Sequence, residues 1–286
     1  MTDLFRAFLL VVVGLSGDPE HGQLFQKWGA TLAATAGTLG IPTERVTQLG
    51  DQATKDDVER AIDAIAKRSA PDDVVFIVLI GHGSFDGRTA KFNLRGPDLS
   101  AADFAALLRR LPSKHVVLAN TSSASGPFKE ALAGPGRTII TATRNGAEQY
   151  ATLFGGFFVD AFAIDEADGD KNHRVTVQEA FDYAQREVGR AYERLGLLAT
   201  EHAVIDDTGK LAGAFALGTM GESAALPSDP RLRALYMERR ELEQRVEALK
   251  VLKSGMDQAR YESELEKVVT SLALKTREIR QAEGKQ

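Results

Sequence analysis

The stretch Val74-Val75-Phe76-Ile77-Val78-Leu79-Ile80 restricts the fold more than any other part of the chain. Its apolar residues, mostly β-branched, are too few for an independent helix and too continuous for a strand with one wet face. They predict a central strand covered on both faces, as parallel sheets require. The run ends in Gly81-His82-Gly83-Ser84, so a histidine stands between two glycines at the carboxyl edge of the strand. That edge is where open α/β sheets place their ligands. A second run, Val116-Val117-Leu118-Ala119-Asn120, ends in Thr121-Ser122-Ser123-Ala124-Ser125-Gly126. If the two strands are neighbours, His82 and the serine cluster face one crevice.

Further strands and helices alternate around this pair. Ala7–Val13 reads as a first strand. Its apolar character after Arg6 also fits the core of a signal peptide, but Gly14 to Pro19 offers no convincing small-x-small cleavage site. A helix is predicted from about Gln23 to Thr38, with Leu24, Phe25, Trp28, Leu32 and Leu39 along its apolar stripe, and a short strand at Val46–Leu49. Thr54-x-x-Asp57 resembles a capping box before a helix over 55–68. Lys91–Arg95 suggests a hairpin strand, Ser100 caps a helix ended by Pro112, and Arg137–Thr143 is a further strand. Helices are predicted at about 152–164 and 177–195, with weak strand character over 201–217. The alternation predicts an α/β domain over 1–222: a doubly wound, mostly parallel sheet sandwiched by helices.

After Pro227 the character changes. Leu235, Leu242, Leu249 and Met256 recur every seven residues amid mixed charge, and helical spacing continues from Tyr261 to Ile279. This predicts a second region, 223–286, forming a helical hairpin or coiled-coil appendage broken near Ser254-Gly255. Residues 229–283 suit self-association, docking to a partner helix, or packing as an antiparallel hairpin against their own domain.

Composition excludes several functions. The chain has 286 residues, a formal net charge of −5 and no cysteine. The negative charge argues against nucleic acid as a partner, and the missing cysteine excludes disulfides, zinc–thiolate sites and a thiol nucleophile. No stretch reads as a membrane span. The compartment stays open, cytoplasmic or exported after loss of a leader. No cofactor is required by these features. One loop nonetheless suits a cation: Asp168, Asp170, Asn172, Thr176 and Glu179 place oxygen donors in the order of an EF-hand calcium loop. His173 stands where that pattern wants glycine. The alternative is a solvated turn before a helix capped by the Thr176-x-x-Glu179 box.

At the two strand ends the chain resembles the legumain family, within the caspase-like group of cysteine peptidases. In that group an apolar strand ends in His-Gly and a later one ends at the nucleophilic cysteine, often as Cys-x-Ser-Gly. Here His82-Gly83 matches the first motif and Ser123-Ala124-Ser125-Gly126 the second, with Asn93–Leu99 and Thr138–Thr143 in further agreement. The resemblance covers 7–163 well, extends plausibly to 217 and says nothing of the tail. It implies a caspase-like fold, with His82 and Ser123 at the catalytic positions and the N–H of Gly83 and Ser123 as oxyanion donors. Ser16, Thr121, Ser122 and Arg144 would border a ligand pocket.

The departures matter chemically. Ser123 stands where the family has cysteine, and a hydroxyl needs a general base within hydrogen-bond reach where a thiol does not. Ser16 stands where an asparagine is expected, and Glu20 where a basic residue would hold the substrate side chain. The sequence therefore supports a peptidase homologue without its catalytic cysteine, silent and binding a peptide or protein, or regulatory. The alternative is an atypical serine-dependent hydrolase using Ser123 and His82.

Overall fold

The computed structural model describes residues 6–38, 41–164, 166–171, 174–217 and 229–283, which fall into two compact units, 1–221 and 222–286. The first unit runs β1 (Ala7–Val13), α1 (Pro19–Thr38), β2 (Val46–Leu49), α2 (Lys55–Ala66), β3 (Val74–Ile80), β4 (Gly83–Phe85), β5 (Ala90–Phe92) and β6 (Leu99–Ser100). It continues with α3 (Ala101–Leu108), β7 (His115–Asn120), α4 (Gly126–Leu132), β8 (Arg137–Thr141), α5 (Phe154–Ala161), β9 (Val175–Thr176), α6 (Val177–Leu195), β10 (Val204–Asp206) and β11 (Ala216–Leu217). The second unit holds α7 (Pro230–Leu252) and α8 (Gln258–Ala282).

The main sheet has the order β10-β8-β7-β3-β1-β2, parallel except for β10 at the edge. Every residue of β1 and β3 is buried, as expected of strands with helices on both faces. On one face Phe8, Leu10, Val12, Val75, Ile77 and Leu79 pack with Val58 and Ile62 of α2, Phe104 of α3 and Phe128 of α4. On the other, Phe76 meets the rings of Phe158, Phe162 and Phe215 at 5.9–6.5 Å between centroids. α1 lies close on that face: a Cβ at Gly29 would stand 2.7 Å from Val13.

The predicted pairing of the two principal strands holds, with Val74 to Leu79 of β3 in parallel register with His115 to Asn120 of β7. The order β2-β1-β3-β7 reverses direction between β1 and β3, which makes that junction the topological switch point. Several boundaries differ from the sequence reading. α1 begins at Pro19 rather than Gln23, because proline suits the first helical turn and Glu20 adds a favourable charge there. Leu39, assigned to its stripe, lies outside the described residues. The single hairpin strand at 91–95 is instead part of a small antiparallel sheet of β4, β5 and β6, which starts at Gly83 itself.

The helix starts follow local chemistry. Thr54, Ser100 and Thr176 each form a complete capping box, with Asp57, Asp103 and Glu179 as partners. In the second unit, Lys253–Gly255 breaks the chain between α7 and α8. The cross-pairs Arg245–Glu264 and Lys275–Glu238, at 2.8 and 2.6 Å, set the two helices antiparallel as a hairpin. Among the described residues Ala248, Leu249, Leu252, Tyr261, Val268 and Ile279 are its buried apolar ones. Among the described residues no helix is long and apolar enough to cross a membrane.

Replacing Thr176 with Ala removes one half of the box that starts α6. The expected loss is about 1 kcal/mol of stability, read as a lower urea midpoint, whereas Thr176→Ser restores the parent value.

Candidate active site

The site is assembled by the ends of β1, β3 and β7. Beyond the last register pair, Thr121 continues the β7 contact by donating its N–H and its hydroxyl to Leu79 O, at 2.9 and 2.8 Å. This fixes the turn after β7 against the turn after β3. Gly83 then lies directly on Ser123. The Gly83 N–H donates to Ser123 Oγ at 3.1 Å, and the Ser123 hydroxyl donates to Gly83 O at 3.1 Å. A Cβ at Gly83 would fall 2.2 Å from Ser123 O and 2.8 Å from Ser122 Oγ, so only glycine fits there. The second glycine of the Gly-His-Gly turn is therefore set by close backbone approach.

Ser123 is 2% exposed. The next residue, Ala124, has φ 53°, a conformation unfavourable to a side chain, and its N–H donates to Glu148 O at 2.7 Å. The surrounding hydroxyls are engaged internally. Ser122 donates to Asn120 Oδ1 at 2.7 Å, Thr152 donates to Thr121 O at 2.6 Å, and Ser125 pairs with Thr143 Oγ1 at 3.2 Å. Thr121 and Ser122 were expected to offer hydroxyls to a ligand; both are buried, with their hydroxyls committed to Leu79 and Asn120. The physical reason is that a buried hydroxyl takes the nearest backbone or amide oxygen rather than stay unpaired. Arg144, by contrast, is exposed, with its guanidinium 3.7 Å from Glu148.

His82 is partly buried, and no hydrogen bond joins it to Ser123. Its imidazole instead meets Phe25 and His21, at 5.1 and 4.9 Å between ring centroids. Burial first, and the neighbouring His21 second, hold its pKa below the ordinary histidine value. The ring is accordingly neutral at neutral pH. His21 is the residue that sequence reasoning passed over. It sits on the first turn of α1, 8% exposed, with Nδ1 2.6 Å from Asp18 Oδ2. The spacing Asp18-x-x-His21 at a helix start was the available signal. Ser16, half-buried in the same loop, packs beside Gly22.

A second carboxylate group braces this edge. Glu148 accepts the His202 N–H and ring nitrogen, at 3.1 and 2.8 Å. Buried Glu201 accepts the N–H groups of Leu153 and Phe154, at 2.7 and 3.0 Å, and the Tyr192 hydroxyl at 3.2 Å. Burial pushes Glu201 up to about 7 in spite of these donors. A carboxyl that holds its proton more tightly folded than unfolded costs stability as pH rises from its unfolded value through that range. Stability should therefore fall between pH 4.5 and 7, and Glu201→Gln should flatten that slope in urea titrations at pH 5, 6 and 7.

In the acidic loop, carboxylate oxygens of Asp168, Asp170 and Glu179 lie within 4.8 Å of one another. Asn172 lies outside the described residues. Glu179 already accepts from Thr176 N–H and hydroxyl with one oxygen, and from Gly169 N–H, at 2.9 Å, with the other. The capping alternative is thus realised in the bonds of Thr176 and Glu179.

A model of the Peptidase C13 family matches residues 48–207. No curated protein matches the chain. The matched residues contain β3, Gly83, β7 and Ser123, and they start after the loop of Ser16, Asp18 and His21.

Gly83→Ala tests the close approach at this site. Overpacking against the Ser123 carbonyl should cost on the order of 1–3 kcal/mol, seen as a lower melting midpoint, while Gly134→Ala, where a Cβ meets nothing within 4 Å, should cost less.

Proposed function

We propose that this chain, which belongs to the Peptidase C13 family, is a legumain-like peptidase homologue without peptidase chemistry of its own. Its role in this reading is to bind or regulate through a peptide or protein ligand at the β3 and β7 edge. The observation that carries the proposal is the state of the Ser123 hydroxyl. Its proton points at Gly83 O, a carbonyl that cannot act as a base, and its oxygen takes the Gly83 N–H. That N–H is the donor which the family resemblance assigns to the oxyanion. Nucleophile and oxyanion donor thus satisfy each other, and the chain has no cysteine to replace them.

Ser123 also lacks the base that serine chemistry needs. General-base catalysis requires the base about 2.6–3.2 Å from the proton it removes, and His82 makes no hydrogen bond to Ser123. One observation favours the alternative, an atypical serine hydrolase: Asp18 and His21 form the carboxylate–imidazole pair that orients a base in such enzymes. His21, however, faces the His82 ring.

Labelling with a broad fluorophosphonate probe decides between the two. The proposal predicts no labelling of the folded chain. Labelling that Ser123→Ala and His82→Ala both abolish would establish a serine nucleophile and overturn it.

A further inference from the structure

The first turn of α1 and the turn after β3 meet beside the topological switch point, and each brings one imidazole there. We propose that His21 and His82 form a two-imidazole site for a divalent transition metal ion, with Zn2+ as the physiological candidate. The proposal does not depend on whether Ser123 reacts.

Asp18 supplies the first part of the argument. Its carboxylate, 2.6 Å from His21 Nδ1, holds the proton on that nitrogen and leaves the lone pair on Nε2. A carboxylate behind an imidazole in this way is the usual support of a metal-binding histidine, since it fixes the tautomer and raises basicity. Nε2 of His21 is itself buried and has no hydrogen-bond partner, in a side chain nine-tenths buried. A buried acceptor without a partner carries a desolvation penalty. Two rings pack on His21, Phe25 at 5.6 Å and His82 at 4.9 Å between centroids, and neither hydrogen-bonds Nε2.

The spacing of the two imidazoles supplies the second part. Metal–nitrogen bonds of about 2.0–2.1 Å at tetrahedral angles hold two imidazole centroids roughly 5 Å apart. The observed separation is 4.9 Å, with the planes inclined by 65°. The donor set is nitrogen, which suits Zn2+, Co2+ or Cu2+ over Ca2+ or Mg2+. This separates it from the oxygen-only cluster of Asp168, Asp170 and Glu179. Two protein ligands leave open positions on the ion, to which a carboxylate or water of a bound ligand can attach at the same crevice.

The test is titration of the full chain with Zn2+ by calorimetry and with Co2+ by visible absorption. The expected result is one ion per chain, with cobalt bands of the intensity given by low coordination. Binding should be lost in His21→Ala and in His82→Gln, fall about 10–100-fold in Asp18→Asn, and remain unchanged in Glu179→Gln. His82, only partly buried, carries the test where the His21 variant does not fold. Folded protein that takes up no Co2+, or binding that survives His82→Gln with folding intact, would overturn the proposal.

Discussion

The pairing of β3 with β7 is the interaction on which the rest of the site depends. Two parallel strands, β3 buried throughout and β7 buried after His115, fix their register through their own ladder, and Thr121 extends it by placing two donors on Leu79 O. Because the register is fixed, the Gly-His-Gly turn and the serine turn have no freedom to slide apart. Gly83 is pressed against the carbonyl of Ser123, and the absence of a side chain there is what makes the approach possible. A one-residue shift would turn every buried side chain of either strand to the wrong face.

That same closeness accounts for the chemistry. The edge of β7 and β8 is dense in hydroxyls, yet Thr121, Ser122, Ser125 and Thr143 are all buried and internally bonded. Ser123 follows the same rule: with Gly83 N and O in reach, its hydroxyl donates and accepts locally. A sulfur at this position would not depend on such bonds, because thiolate chemistry needs less assistance. Across the crevice, the His82 ring packs on Phe25 and His21 and makes no hydrogen bond to Ser123. The two turns are thus brought together by the fold, with no hydrogen bond between His82 and Ser123.

Much of this was legible in the sequence where local rules dominate. The unbroken apolar run at 74–80 can be satisfied only inside a two-layer cover, and capping pairs such as Thr54–Asp57 and Thr176–Glu179 act within one helical turn. His82-Gly83 and Ser123 were legible because each closes a buried strand. The family match over 48–207 agrees with the resemblance seen in those motifs. What depended on distant packing was not legible. Nothing near Thr121 or Ser122 reveals that their hydroxyls turn inward to Leu79 and Asn120. The Asp18–His21 pair was hidden because its meaning comes from His82, 61 positions after His21 in the chain. The antiparallel sheet of β4, β5 and β6 was missed because strands this short carry almost no periodic signal.

The central claim, that Ser123 is held by Gly83 and not by a base, is tested most directly by an atomic-resolution diffraction map of the β3 and β7 edge. The account predicts the Ser123 side chain in the rotamer that places Oγ within hydrogen-bond reach of both Gly83 N and Gly83 O, with no imidazole nitrogen bonded to it. A map showing Oγ turned instead onto a nitrogen of His82 or His21, at about 2.6–3.2 Å, would contradict it and return the chain to the serine hydrolases.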